Sequence, residues 1–501
     1  MTEETARIEV CAPERDGPTL SWPGKRLCAR VDVPRLHTVE SFGAANDTPN
    51  LLLHGDNLST LAWLLANGYR GQIRLIYIDP PFDSDGDYTS VNRLRGQRGE
   101  VFGSRVQYRD RRQDGDYLQF MAERLLLLKE LLHPNGTLWL HCDHRASTRL
   151  QLLLEEIFGA ECYLNTIAWR SQVARGAKVH AHFFPRSTHS IHIFAATAQA
   201  EPTWHPPRRE IEMTRAEAAT HFMEDERGFF RTSHPGSYRF ETLVQLHAQG
   251  RIYAPHGGEV IIDDENRRVY ASNGGNIGVK YYVERRGRDR FVVTRAVDNL
   301  WDDIPGLGTI PSEDVNYPTQ KTEGLLQRVL ETASETGDWV LDAFAGSGTS
   351  LAMANKLARR WIGCDDNWGS IRTTAGRIYR AGTPFPLEIR RQDGHPTPSN
   401  GITATVHTHH EDGTLHVRVD DVRSAAVLSQ LSTPPVDWRA AVQSIAVDPA
   451  FDGVVFRPQV IDAPAGRKTL VTGEYNLPMT PNGTLAVQIV DVVGNEVVLV
   501  E

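Results

Sequence analysis

With 501 residues, 23% charged and 40% hydrophobic, the chain is long enough for about two or three domains with sizeable cores and has the balance of an ordinary globular protein. Its charged first ten residues lack an apolar stretch, and no apolar run approaches the ~18 residues of a membrane helix, so a cytoplasmic protein without a membrane partner is expected. The net charge of −9 is unevenly spread: residues 381–501 hold 14 acidic and 8 basic side chains, while residues 91–112 hold seven arginines against Glu100 and Asp110. Five cysteines, at 11, 28, 142, 162 and 364, are odd in number and lack metal-ligand spacing; free thiols and no metal site are the expectation.

Residues 1–50, rich in proline, glycine and charge, read as an N-terminal arm. A short apolar strand follows at 51–54, ending in Gly55-Asp56-Asn57, then a helix at 58–66 and a second strand at 73–78. The spacing predicts a strongly amphipathic helix over 116–132, a turn at Pro134-Asn135-Gly136, a strand at 137–142, a helix at 150–158 and a strand at 189–195. This alternation predicts an α/β fold, a doubly wound and mostly parallel sheet. The rhythm breaks over 199–299, read as an insert, and returns over 300–380 with a strand at 340–342, a helix at 349–357 and a strand at 360–364. Residues 385–501 read as a mainly β accessory region, with hairpin turns at Asp412-Gly413 and Gly494-Asn495.

Asp79-Pro80-Pro81-Phe82 closes the strand 73–78, at the strand end where open α/β sheets bind ligands. Two prolines in series fix φ and remove backbone donors. Asp79 and the Pro80 carbonyl can then each accept one N–H of an amino group, which localises the nitrogen lone pair, while Phe82 offers a face for a ring to stack on. Asp342-Ala343-Phe344-Ala345-Gly346-Ser347-Gly348-Thr349 joins the strand 340–342 to a helix: Gly346 and Gly348 admit close backbone approach, and the helix N-terminus favours a carboxylate. Leu351 stands where a dinucleotide fingerprint needs its third glycine. Asp365, at the end of the next strand, is placed to accept two ribose hydroxyls, or else to cap a helix near Asn367. Asn316-Tyr317-Pro318-Thr319-Gln320-Lys321 precedes the helix leading into the glycine-rich strand.

Together these motifs resemble the DNA amino-methyltransferases in their β-class order, with the catalytic tetrapeptide first, then an insert, then Pro318 to Lys321, then Phe344 to Gly348. Gly55-Asp56-Asn57, Ile76-Tyr77-Ile78, the helix 116–132 and Asn299 to Ile304 extend the likeness to the modification subunits of type III restriction systems. The resemblance implies a Rossmann-like methyltransferase fold with circularly permuted motif order, and 199–299 as a target-recognition insert between a catalytic half, 51–198, and a cofactor half, 300–380. It implies methyl transfer from S-adenosylmethionine to a flipped adenine, or to cytosine N4. Asp79, Pro80, Pro81 and Phe82 would be catalytic; Asp342, Phe344, Gly346, Gly348, Thr349, Asp365, Thr319 and Lys321 would line the cofactor site. Thr322 stands where the family usually has proline. Implied partners are double-stranded DNA, a second copy of the chain and a restriction subunit.

Two basic stretches are the expected DNA contacts: Arg105, Arg109 and Arg111 after the catalytic motif, and a hairpin tipped at Gly287 with Lys280, Arg285, Arg286, Arg288 and Arg290. RNA or protein-glutamine amino-methyltransferases share the Asp/Asn-Pro-Pro-aromatic motif but place the glycine-rich motif first. A non-catalytic DNA-binding subunit would tend to have broken motifs, and here both are intact.

Overall fold

The computed structural model describes residues 6–15, 17–43, 47–82, 86–96, 101–110, 114–173, 182–315, 317–396, 401–466, 468–478, 480 and 483–501. Two compact units emerge, Met1–His205 with Asn299–Glu501, and Pro206–Asp298.

In the first unit a ten-stranded sheet is built from β1 (Leu36–Phe42), β2 (Asn50–His54), β3 (Ile73–Ile78), β4 (Leu132–Cys142), β5 (Tyr163–Arg170), β6 (Thr188–Ala195), β7 (Leu300–Trp301), β8 (Trp339–Asp342), β9 (Arg360–Asp365) and β10 (Leu387–Gln392). Their spatial order is β7-β5-β6-β4-β3-β8-β9-β2-β10-β1. The run β4-β3-β8-β9-β2-β10 is parallel throughout. β6 is antiparallel to both β4 and β5, and β1 to β10, so the sheet is mixed with a parallel centre. Central strands are apolar on both faces, as burial on both sides requires: every residue of β2 is buried. β3 and β8 adjoin, which makes neighbours of the two motifs that lie far apart in the chain.

Helices α1 (Asn57–Ala66), α2 (Asp114–Leu131), α3 (Ser147–Phe158), α4 (Glu323–Ala333), α5 (Thr349–Lys356) and α6 (Trp368–Ala381) pack with this sheet. Asp56 caps α1 by accepting from Ser59 N at 3.1 Å. The sequence reading gives α2 a polar face, but Leu125, Leu126, Leu127, Leu128 and Leu131 are all buried. Four consecutive leucines leave no solvent side over that turn, and the N-terminal segment provides the cover: Ile8, Val10, Trp22, Ala29 and Val31 share one apolar cluster with them. Residues 1–50 are therefore more than an arm. Arg7–Cys11 and Cys28–Asp32 pair as antiparallel strands with Cys11 opposite Cys28, and the two form a disulfide, correcting the free-thiol expectation for this pair. Spacing could not show that this segment folds back on itself. Cys142, Cys162 and Cys364 are buried free thiols.

Leu387–Gln392, counted by sequence with the C-terminal region, is β10 of the large sheet, because Leu387 and Ile389 alternate into the core. Beyond it, a three-stranded sheet (Ile402–Glu411, Thr414–Ser424, Glu474–Pro478) and a four-stranded sheet (Val442–Phe451, Val460–Asp462, Thr484–Asp491, Glu496–Val500) share an apolar core. Asp412 and Gly413 both adopt positive φ, 46° and 75°, the conformation a tight hairpin turn demands. Leu94, in the segment after Asp79 to Phe82, packs with Val427, Ala441 and Val493, and Arg95 donates to the Pro464 and Gly466 carbonyls at 2.7 Å.

The second unit holds three small sheets and two helices, Arg215–His221 and Phe240–Ala248. Thr214 and Glu217 form a reciprocal capping box on the first. None of the described helices is long and apolar enough to cross a membrane.

A buried ionic cluster joins distant parts of the first unit. Arg372 of α6 pairs with Glu40 of β1 at 2.6 Å and with Glu496 of the last strand at 2.5 Å; Tyr379 and Gln488 also donate to Glu40. Removing the cation leaves two carboxylates in a dry site. Arg372→Met should therefore cost about 3–5 kcal/mol in urea unfolding, a larger loss than Glu40→Gln causes; a loss under ~1 kcal/mol would show the cluster to be dispensable.

Candidate active site

The carboxyl ends of β2, β3, β8 and β9 open together into a cavity of about 560 Å³. Asp56 and Asn57 line it after β2, Asp79 and Pro81 after β3, Asp342 to Ser347 with Thr349 and Ser350 after β8, and Asp365 to Asn367 after β9. Tyr317, Thr319, Gln320 and Lys321 close one side, and Phe120 and Arg124 of α2 add to the wall. Of the residues named from sequence, Asp79, Pro81, Asp342, Phe344, Gly346, Thr349, Asp365, Thr319 and Lys321 thus meet at one cavity; Pro80, Phe82 and Gly348 are not among its lining.

Asp79 and Lys321 form an ion pair, although 242 positions separate them in sequence. Both are nearly buried, at 17% and 8% side-chain exposure, so each charge depends on the other. Burial pushes the Asp79 carboxyl up from its ordinary range, and the Lys321 ammonium opposes that shift. Lys321 also donates to the Thr319 carbonyl at 3.0 Å. Thr319 is held at φ 60°, a left-handed conformation costly for a β-branched residue. The second Asp79 oxygen, Oδ1, is buried without a hydrogen-bond partner. Phe82 lies just behind, its ring centroid 5.6 Å from His189 and 6.1 Å from His141, with the Lys321 ammonium 5.3 Å above it.

Gly346 and Gly348 differ in what they do. Gly346 (φ 51°) lines the cavity, and its N–H donates to Asp365 Oδ2 at 2.8 Å. Gly348 (φ 70°) faces α6, where an added Cβ would fall 2.3 Å from Thr374 Oγ1; it serves helix packing. Asp365 also accepts from Asn367 N at 2.9 Å, while Asn367 itself caps α6. Asp342 accepts from Phe344 N at 2.9 Å and from the Ser350 hydroxyl. Burial, the largest cause for each, pushes both carboxyls up to about 7.

The residues read as site-forming from sequence do not include Arg124, Asp56, Asn57, Phe120 and Tyr317. Arg124, 5% exposed, donates to Asn57 Oδ1 at 2.5 Å and to Asp56 Oδ1 at 2.9 Å; Asn57 Nδ2 in turn reaches the Ala343 carbonyl at 2.9 Å. The signals that point to them are a lone arginine in an otherwise leucine-rich stretch of helix and a polar Gly-Asp-Asn at a strand end. Among the predicted DNA contacts, Arg105 and Arg109 fall in the strand Val101–Asp110; their side chains, and all of Arg111, lie outside the described residues. In the second unit Arg286 pairs with Glu210 and Glu284, Arg290 with Glu212, and Lys280 with Asp225. Arg285 and Arg288 are exposed and meet no carboxylate at ion-pair distance among the described residues. No cluster of three or more His, Cys, Asp or Glu suited to a metal occurs among the described residues.

The family model of the N6/N4 DNA methylases matches residues 73–375. Type II methyltransferase M.EcaI of Enterobacter cloacae is 24% identical over 391 residues, covering 73% of this chain and 79% of that protein. The probable type III HindVI Mod subunit of Haemophilus influenzae is 21% identical, covering 63% of this chain; the chain spans about half that relative's length, 48%. A solved M1.HpyAVI–SAM complex superposes with a TM-score of 0.34 at 13% identity, over 65% of this chain and 99% of that one.

The raised carboxyls make stability depend on pH. Asp342 and Asp365 start from an ordinary value of 3.8 and ionise near 7 in the fold, so between those limits the folded state holds protons that the unfolded state has released. Their contribution to stability therefore falls as pH rises from about 4 to 7. In Asp365→Asn, the drop in Tm between about pH 5 and pH 8 should be smaller than in the parent; an unchanged drop would place the proton elsewhere.

Proposed function

The chain belongs to the N6/N4 DNA methylase family, and we propose that it transfers a methyl group from S-adenosylmethionine to the exocyclic amino group of a flipped adenine in duplex DNA. The observation that carries this reading is a single cavity joining a buried, half-satisfied Asp79 carboxylate to the glycine-rich turn and Asp365. The residues present fit the cofactor. Asp365 retains lone pairs for ribose hydroxyls after its two backbone bonds, Phe344 offers an apolar face, left-handed Gly346 admits close backbone approach, and the N-terminus of α5 at Thr349 suits a carboxylate. When bound, S-adenosylmethionine supplies a methyl group already activated on a sulfonium.

The protein's task is then alignment and polarisation. A base leaves the duplex to enter the cavity, because its amino group is inaccessible in the stack. Asp79 Oδ1, which no protein donor satisfies, accepts one amino N–H. The second N–H is assigned to the Pro80 carbonyl and the stacking face to Phe82 on the likeness of the motif, and since neither lines the cavity in this structure, both must be uncovered as the base enters. Lys321 favours the ionised, accepting form of Asp79 against the cost of burial. Aspartate as the first catalytic residue favours adenine, with cytosine N4 as the alternative. The order along the chain, catalytic strand before glycine-rich strand, corresponds to a circularly permuted, doubly wound methyltransferase sheet. Duplex DNA is the proposed partner, with Pro206–Asp298 as the target-recognition unit; a second copy and a restriction subunit are proposed on the type III likeness.

Long-read sequencing of DNA from cells expressing the chain should reveal N6-methyladenine in one sequence context; N4-methylcytosine would assign the other base, and unmodified DNA would refute the reading. Asp79→Ala should abolish methylation but also leaves the Lys321 ammonium buried without its carboxylate, so Asp79→Asn, which keeps an acceptor for that ammonium, is the variant expected to abolish methylation with cofactor affinity retained. Gly346→Val should weaken cofactor binding in calorimetry, whereas Gly348→Val, by its clash with Thr374, should lower Tm first.

Ion pairing changes which hairpin arginines can grip DNA. Arg286 and Arg290 must give up carboxylates to reach a phosphate, while Arg285 and Arg288 need not. Substituting Arg285 and Arg288 together by alanine should lower the slope of log K against log salt by about 0.9 for each phosphate that is no longer neutralised. An unaltered slope would show this tip to be a solvated surface.

A further inference from the structure

Behind Asp79 lies a line of polar groups that the methyl-transfer scheme does not use. The Tyr77 hydroxyl of β3 is 2.8 Å from His141 Nδ1 on β4, and His141 Nε2 is 2.9 Å from His189 Nδ1 on β6. His141 Nδ1 also stands 3.9 Å from an Asp79 oxygen, Oδ1, the one without a hydrogen-bond partner. His141 is completely buried, and His189 is half-buried at the outer end of the line. Trp169 packs edge-on against both imidazoles, 5.6 and 5.8 Å between ring centroids, and the Phe82 ring lies 6.1 Å from His141 and 5.6 Å from His189. A phenol and two imidazoles in series on three adjacent strands can be buried only because each is hydrogen-bonded to the next, and apolar side chains would fill the same space without needing partners.

We propose that Tyr77, His141 and His189 are the outlet for the proton that the target nitrogen must lose, carrying it from Asp79 to solvent. The proposal rests on the amino-methyltransferase reading above. When the nitrogen lone pair forms the N–C bond, the C–S pair returns to sulfur, and the methylated nitrogen carries one proton too many. Asp79 Oδ1 takes it. Asp79 Oδ1, 3.9 Å from His141 Nδ1 and hydrogen-bonded to no protein group, must first turn onto the Tyr77 hydroxyl. Tyr77, which lines the cavity and touches the same His141 nitrogen, then passes a proton to Nδ1 as it accepts one from Asp79. His141 releases its Nε2 proton to His189 Nδ1, and His189 releases its own to water. No oxidant or metal is required, and charge balances at each transfer.

The surroundings favour passage over retention. Burial, the larger cause for both imidazoles, holds His141 well below its usual range and His189 at about 4, and Lys321 adds to the shift by repelling either charged form. Around His189 stand Asp143, which favours its charged form, and His144 and Arg145, which oppose it. Asp79 and Lys321 face His141 from the cavity side. The three residues act through Asp79 and are positioning residues in this scheme.

The test compares His141→Gln, His189→Gln and Tyr77→Phe with the parent in single-turnover methyl transfer to duplex DNA from about pH 6 to 9. Each variant should lose at least about tenfold in rate at the acid end and less at the alkaline end, with cofactor affinity unchanged, and added imidazole should partly restore His189→Gln. Rates within about twofold of the parent across the range would overturn the outlet. So would a loss that is equal at every pH and insensitive to imidazole, because that marks mere support of the fold. A readout independent of turnover is the 15N NMR titration of His189 in the free protein: Asp79→Asn should move its midpoint, and an unmoved midpoint would break the chain at its first link. A parent enzyme inactive on all DNA would instead remove the methyltransferase reading itself.

Discussion

The buried pair of Asp79 and Lys321 is the constraint on which the site depends. Neither charge is tolerable alone at 17% and 8% side-chain exposure. Their attraction fastens the end of β3 to the segment before α4, and thereby joins the two halves of the sheet that the second unit separates in sequence. The pair also acts on the carboxyl's titration: burial pushes Asp79 up, and the Lys321 ammonium opposes that shift. The left-handed Thr319 is part of the same arrangement, since its carbonyl takes a second hydrogen bond from the ammonium. Backbone strain at a functional site is thus balanced by a charge contact of the next residue but one.

Much of this is legible in the residues. Strands at 73–78 and 340–342, each running into a polar or glycine-rich turn, place the two motifs correctly at strand ends, because apolar runs and turn chemistry are local signals. What local signals miss is cover. Nothing in Leu125 to Leu128 says that an N-terminal hairpin will roof them, so α2 reads as amphipathic and the first fifty residues as an arm. Likewise β10 reads as part of the tail, since a short strand carries no mark of the sheet it joins. Gly346 and Gly348 look alike in sequence yet part company in space, one against the cavity and the other against Thr374. Ion pairing across strands is equally invisible: the hairpin arginines read as a cationic tip until Glu210 and Glu212 are seen opposite them.

The C-terminal sheets, for which sequence suggests no role, carry the segment that follows the catalytic motif. Leu94 and Arg95 are anchored on them by apolar packing and by carbonyl acceptors. The C-terminal sheets thus hold the end of this segment in place by both apolar and polar contacts.

The Glu40–Arg372–Glu496 cluster bears on how the molecule is made. During synthesis Glu40 emerges first, Arg372 much later, and Glu496 after every strand of the large sheet has left the ribosome. Until then a growing chain cannot neutralise Arg372 from both sides. A chain that stops short of Glu496 would leave Arg372 with Glu40 as its one carboxylate among the described residues, so the last strand of the chain and the first strand of the large sheet depend on the same guanidinium.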